Sequence, residues 1–266
     1  MVREPAVAGY FYPGTKTRLE GDLDSLIVPA TVKIDAVGAV VPHAGYVYSG
    51  HTAGKVYGRL NPVDTYIILS PNHTGLGEPF SLSDEKWNTP LGSVDIDREL
   101  SRGILKRSGL VRMDEAAHLQ EHSIEVQVPF IQKISPGASI VPITVQAGAY
   151  PALEEVACAI ADAISDSRKK TCIIASSDMT HYESRDKARV KDRHAIDRIL
   201  EIDPEGLMET VESERITMCG YAPTAIMLMT ARRMGAEKTE LVDYSDSGTV
   251  TGDTDQVVGY AGVIIY

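Results

Sequence analysis

Short apolar runs recur along the chain between polar or glycine-containing segments, and separating them are longer stretches whose apolar positions fall three to four apart. Ala36 to Val41, Asp64 to Ser70, Ser139 to Gln146 and Thr171 to Ser176 read as buried strands, and Glu240 to Tyr244 and Val257 to Ile265 as the last ones. Helices are predicted over Ser49 to Leu60, Asp97 to Ser108, Ala152 to Ser165, Arg185 to Leu200 and Ala222 to Met234. In the first of these Ser49 is the expected N-cap, and Ala53, Val56, Tyr57 and Leu60 form the inner face. His118 to Ile134 reads as a helix broken or tilted near Pro129, while Phe80 to Leu82 and the turn around Gly92 add antiparallel pieces.

Strands alternating with helices predict an α/β fold whose central sheet, mainly parallel or mixed, is flanked by helices on both faces. No linker, repeat or low-complexity tract divides the 266 residues, so residues 1–266 are expected to form a single domain. The apolar runs are too short to span a bilayer, and the N-terminal MVREPAVAGYFYPG carries no secretion signal, which makes the cytoplasm the expected location. Cys158, Cys172 and Cys219 are odd in number and lack CxxC spacing, so no disulfide framework is expected. A net charge of −11 argues against nucleic acid or an anionic membrane as partner.

Candidate chemistry collects at the strand ends. Val37 to Val41 delivers His43, Ile67 to Leu69 delivers Asn72 and His73, Ile143 to Val145 delivers Gln146, and Ile173 to Ala175 delivers Ser176, Ser177, Asp178 and His181. Ligands in such folds bind beyond the carboxyl ends of the strands, so these segments should converge on one crevice. Asp178 and His181 suit a general base or a metal-ligand pair, because a carboxylate beside an imidazole fixes its tautomer. Asp178 also suits a cap for the following turn. Cys219, directly before a helix, is a candidate soft ligand or nucleophile whose thiolate the helix dipole would favour. Cys158 and Cys172 read as core residues. His118, His122 and Glu125 fall at helical spacing, with His122 and Glu125 expected to line the cleft and His118 to be exposed. His51 is expected to face solvent or satisfy backbone. Tyr46, Tyr48 and Trp87 read as generic aromatic lining.

The segments REPAVAGYFYP, VPHAGYVYSG, SPNHTG, EHSIEVQVPF, SSDMTHY and MCGYAPTAI, in that order, resemble the Memo family, also called protein B of the AmmeMemoRadiSam system; the resemblance runs from Arg3 to the closing GYAGVIIY. It implies a fold similar to the class III extradiol ring-cleavage dioxygenases. It also implies that His43, His73 and Cys219 meet a metal ion, that Asp178 and His181 lie beside it, and that His122 shares the pocket. In animal members a histidine and a proline follow the Cys-Gly pair after one residue; here Ala222 and Pro223 stand there, so any role of that histidine is absent.

Three functional classes follow. The first is a metal-dependent oxidoreductase with iron ahead of copper, in which His181 moves protons, Asp178 orients it and His122 assists. The second is an adaptor holding a peptide or small ligand in the cleft, as the signalling association of animal members implies. The third is zinc-dependent hydrolysis. The resemblance also implies a functional association with a radical SAM protein.

Overall fold

The protein is described by a computed structural model covering residues 2–266. The first half of the chain contains β1 (Val2–Arg3), α1 (Lys16–Leu26), β2 (Gly38–Val41), α2 (Tyr46–Arg59), β3 (Thr65–Pro71) and β4 (Phe80–Leu82). It continues through β5 (Lys86–Thr89), β6 (Gly92–Val94), α3 (Arg98–Arg107), β7 (Arg112–Met113), α4 (Val128–Ile134) and β8 (Ser139–Val145). The second half runs α5 (Tyr150–Asp166), β9 (Thr171–Ser176), β10 (His181–Glu183), α6 (Arg185–Leu200), α7 (Pro204–Ser213) and α8 (Tyr221–Arg233). It closes with β11 (Thr239–Asp246), α9 (Gly248–Thr251) and β12 (Val257–Ile265).

Four parallel strands in the order β2, β9, β3, β8 form the middle of the main sheet. Antiparallel β12 extends it beyond β2 and pairs with both β10 and β11, while β4 extends it beyond β8. A smaller sheet sets β1 against the β5–β6 hairpin. The middle strands are apolar at nearly every position because both of their faces are covered. Val40, Ile67, Val141 and Ile173 enter a core shared with α3, α5 and α8, whereas Ala39, Tyr66, Ile140 and Cys172 enter one shared with α1, α2 and α4. No helix among the described residues is long and apolar enough to cross a membrane.

Two expected elements differ. Helix α2 begins at Tyr46 behind Gly45, and the Ser49 hydroxyl donates back to the Ala44 carbonyl instead of capping. The continuous helix expected over His118 to Ile134 is two short 3-10 turns, Ala116–His118 and Glu125–Gln127, followed by α4 with Pro129 in its first turn. The helix is interrupted at Glu121, whose own carboxylate accepts the backbone N–H groups of His122 and Ser123 and diverts them from an intrahelical ladder. Pro129 starts the last helix rather than breaking it.

Candidate metal centre

The parallel strands deliver three histidines to one place. A ring nitrogen of His43, after β2, lies within 4.8 Å of ring nitrogens of His73, after β3, and His122, in the loop before α4. With metal–nitrogen bonds of about 2.0–2.1 Å, three donors sharing one ion lie no more than about 3.6 Å apart, so side-chain movements of up to about an ångström would bring these rings onto one ion. His43 is buried, His122 half-buried and His73 exposed, which gives the cluster one open side.

Hydrogen bonding decides which nitrogen each ring offers. The Ser176 hydroxyl gives its hydrogen to the Ser123 carbonyl at 2.7 Å and accepts from the Gln127 amide at 2.8 Å. Toward His43 Nδ1, 3.0 Å away, it therefore acts as acceptor, which puts the proton on Nδ1 and leaves Nε2 with a free lone pair. His73 Nδ1 lies 2.9 Å from Glu121 Oε1, a carboxylate oxygen, and is protonated for the same reason. In His181 Nδ1 donates to the Thr217 carbonyl at 2.9 Å. Each of these rings is thus left with a bare Nε2, the form in which imidazole binds metals or accepts protons.

Electrostatics favours neutral rings at His43 and His122. Burial, helped by the neighbouring His122 and His73, pushes the His43 pKa well below its usual value, and burial lowers that of His122. For His73 desolvation is outweighed by the hydrogen bond and charge of Glu121, and its pKa rises. Glu121 is fully buried; burial opposes its ionisation, but hydrogen bonds from His73 and Ser123 hold its carboxyl far below the ordinary range.

Cys219 sits where the chain enters α8, its Sγ 3.2 Å from His43 Nε2 and 3.3 Å from the Asp178 amide nitrogen. Gly220 allows this approach: a Cβ there would meet the Ser176 carbonyl oxygen and Ser177 Cβ at 2.5 Å. Contrary to the expectation from the helix dipole, desolvation and then the Asp178 charge hold the metal-free thiol's pKa well above its usual value. Asp178 is buried, and Oδ1 accepts the backbone amides of His43 at 2.8 Å and Ala44 at 3.3 Å, capping the turn into α2. Burial pushes its pKa up to about 6. The His181 ring is oriented by donating to the Thr217 carbonyl rather than by a hydrogen bond to Asp178, although His181 and Asp178 interact electrostatically.

Other expectations are corrected. His118 is fully buried against Trp87, and its Nε2 hydrogen-bonds the Ser81 carbonyl. Trp87 and Tyr46 are core residues, and only Tyr48 of the three aromatics is exposed. Glu125 does not line the cleft: it pairs with Arg3 at 2.8 Å and accepts the Ala6 and Val7 amides and the Tyr12 hydroxyl, anchoring the N-terminal arm. That arm sets Phe11 against His122, with ring centroids 4.7 Å apart. His51 is exposed on α2, as expected. Glu121 was missed by sequence reasoning; the available signal was an acid immediately before a His-Ser pair, a sequence suited to capturing its own following amides.

A family model described as Memo-like protein matches residues 3–264. A MEMO1 family protein of Methanosarcina acetivorans is 44% identical over 266 residues, covering 99% of both chains. Proteins given the same family name in Archaeoglobus fulgidus and Methanothermobacter thermautotrophicus are 42% and 41% identical; 99% and 98% of this chain, respectively, and 99% of each relative are covered.

Proposed function

The chain belongs to the Memo-like protein family, and on that premise we propose that its cleft holds a redox-active metal ion, iron ahead of copper, and works as a metal-dependent oxidoreductase on a small molecule. The observation that carries this reading is the convergence of His43, His73 and His122, with the Nδ1 positions of the first two committed to internal acceptors. In the proposed site His43 and His73 bind through Nε2, and Cys219 and His122 compete to complete the set. A thiol loses its proton when it coordinates, so the raised pKa of free Cys219 does not bar it. The bound ion would supply Lewis acidity, redox capacity and open coordination positions.

The chain's own groups suit proton handling. His181 presents Nε2 as an acceptor with Nδ1 fixed by Thr217. Asp178, whose carboxyl pKa burial pushes up to about 6, holds the His43 turn in place. Exposed His73 leaves a side by which a small ligand can enter.

A second reading, zinc-dependent hydrolysis, draws on the same three nitrogens, a donor set that suits zinc with a bound water. Metal analysis of anaerobically purified protein, followed by oxygen uptake with catechol-like substrates, separates the readings. Stoichiometric iron with uptake abolished in His43→Ala supports the oxidoreductase. Tight zinc without oxygen uptake supports the hydrolase, and ligand or peptide binding by metal-free protein supports the adaptor.

A further inference from the structure

One side chain organises two of the three histidines without being placed to bind the ion itself. Glu121 is fully buried, and its Oε1 accepts from His73 Nδ1 at 2.9 Å, the His122 amide at 2.9 Å, and the Ser123 amide and hydroxyl at 3.0 and 2.7 Å. Its Oε2 accepts the His73 backbone amide at 2.6 Å. Among the described residues its ion-pair partners are His73 and His122, while Arg3 goes to its main-chain carbonyl. A buried carboxylate lacking Lys or Arg as a partner is costly unless a nearby cation or a full set of donors offsets it. Here the donors come from the two segments that carry His73 and His122, so the carboxylate ties the end of β3 to the loop before α4.

We propose that Glu121 is the positioning residue of this centre: it fixes His73 as the Nδ1–H tautomer, turns Nε2 toward the ion and locks the His73 and His122 segments in register. The inference rests on the metal reading above for its consequence, but the tautomer is a property of the metal-free protein. Glutamine has nearly the same shape, yet it replaces one acceptor oxygen with an NH₂ donor. Placed toward the His73 amide, that donor meets another donor; placed toward His73 Nδ1, it stabilises the wrong tautomer. Loss of such an outer partner weakens metal binding by about 10–100-fold.

The test uses reduced, metal-free full-length protein with ¹⁵N-labelled histidine. Long-range ¹H–¹⁵N spectra report the His73 tautomer, and calorimetric titration with Zn(II) reports affinity. The wild type should show His73 with the proton on Nδ1. Glu121→Gln should show a mixed or Nε2–H tautomer and bind Zn(II) about 10–100-fold more weakly. An Nε2–H tautomer in the wild type would overturn the assignment with no variant needed, which covers the case of a variant that does not fold. A Glu121→Gln protein that melts lower but keeps both the tautomer and the affinity would reduce Glu121 to a structural residue and overturn it too. Should the wild type take up no ion, the metal reading fails, and the spectrum alone decides the role of Glu121.

Discussion

Replacing Glu125 with alanine removes the carboxylate that pins the N-terminal arm to the domain, and the structure permits an estimate of the cost. Arg3 and Glu125 are both essentially inaccessible, and breaking such a pair strands the surviving charge at about 3–5 kcal/mol. Arg3 would keep the carbonyls of His118 and Glu121, each at 2.7 Å, and the face of Trp87 at 4.0 Å, which pulls the cost toward the lower bound. The Tyr12 hydroxyl and the amides of Ala6 and Val7 would lose their acceptor, at about 0.5–1.5 kcal/mol each, which moves it back up. A loss of about 4 kcal/mol is expected, a fall in Tm of roughly 10 °C for a domain of this size. Urea unfolding and calorimetry measure it. Arg3→Met should cost less, because Glu125 retains three other donors. The reasoning is refuted if Glu125→Ala loses under about 1 kcal/mol, or if the two substitutions cost as much together as the sum of their separate costs, since residues forming one buried pair cannot act independently.

Three further outcomes are expected. Burial lowers the His118 pKa to about 4, so the unfolded chain binds its proton first and stability falls as pH drops from about 6.5 toward 4; in urea titrations His118→Gln should lose roughly 2 kcal/mol less than wild type between pH 7 and 5. Asp97 caps α3 and is hydrogen-bonded by Thr65 at 2.6 Å and Lys169 at 2.8 Å; desolvation is outweighed and its pKa is lowered, so its contribution is complete above the ordinary carboxylate range and disappears as pH falls through the lowered value, while Asp97→Ala should cost about 1–2 kcal/mol at pH 7 by denaturant midpoint. Gly54→Ala tests packing against helix propensity: alanine favours a helix by about 1 kcal/mol, but its Cβ would lie 2.1 Å from the Leu26 carbonyl oxygen, so the variant should melt below wild type by circular dichroism.

The middle of the sheet was readable because parallel strands covered on both faces are written as unbroken apolar runs, and the residue after such a run marks the carboxyl end where ligands bind. His43 and His73 were found that way, and Cys219 by its place before a helix. Glu121 was missed and Glu125 was wrongly expected in the cleft, for a common reason: each takes partners that spacing alone does not reveal. Glu125 meets Arg3 from β1 at the distant start of the chain, and Glu121 bends its own loop by accepting the next two amides, so that a run with helical periodicity is not a helix. His118 was misplaced because the same false helix turned it outward; in the structure the 3-10 turn packs it against Trp87. The resemblance implied Cys219 as a ligand and His122 as a neighbour in the pocket, and the geometry sets His122 with His43 and His73.

The most direct measurement is anaerobic metal content and Fe(II) titration of the wild type beside His43→Ala, His73→Ala, His122→Ala and Cys219→Ser. The account predicts one tightly held ion per wild-type chain, none in His43→Ala or His73→Ala, and weakened binding in the other two. Equal, weak uptake by all five proteins would contradict it.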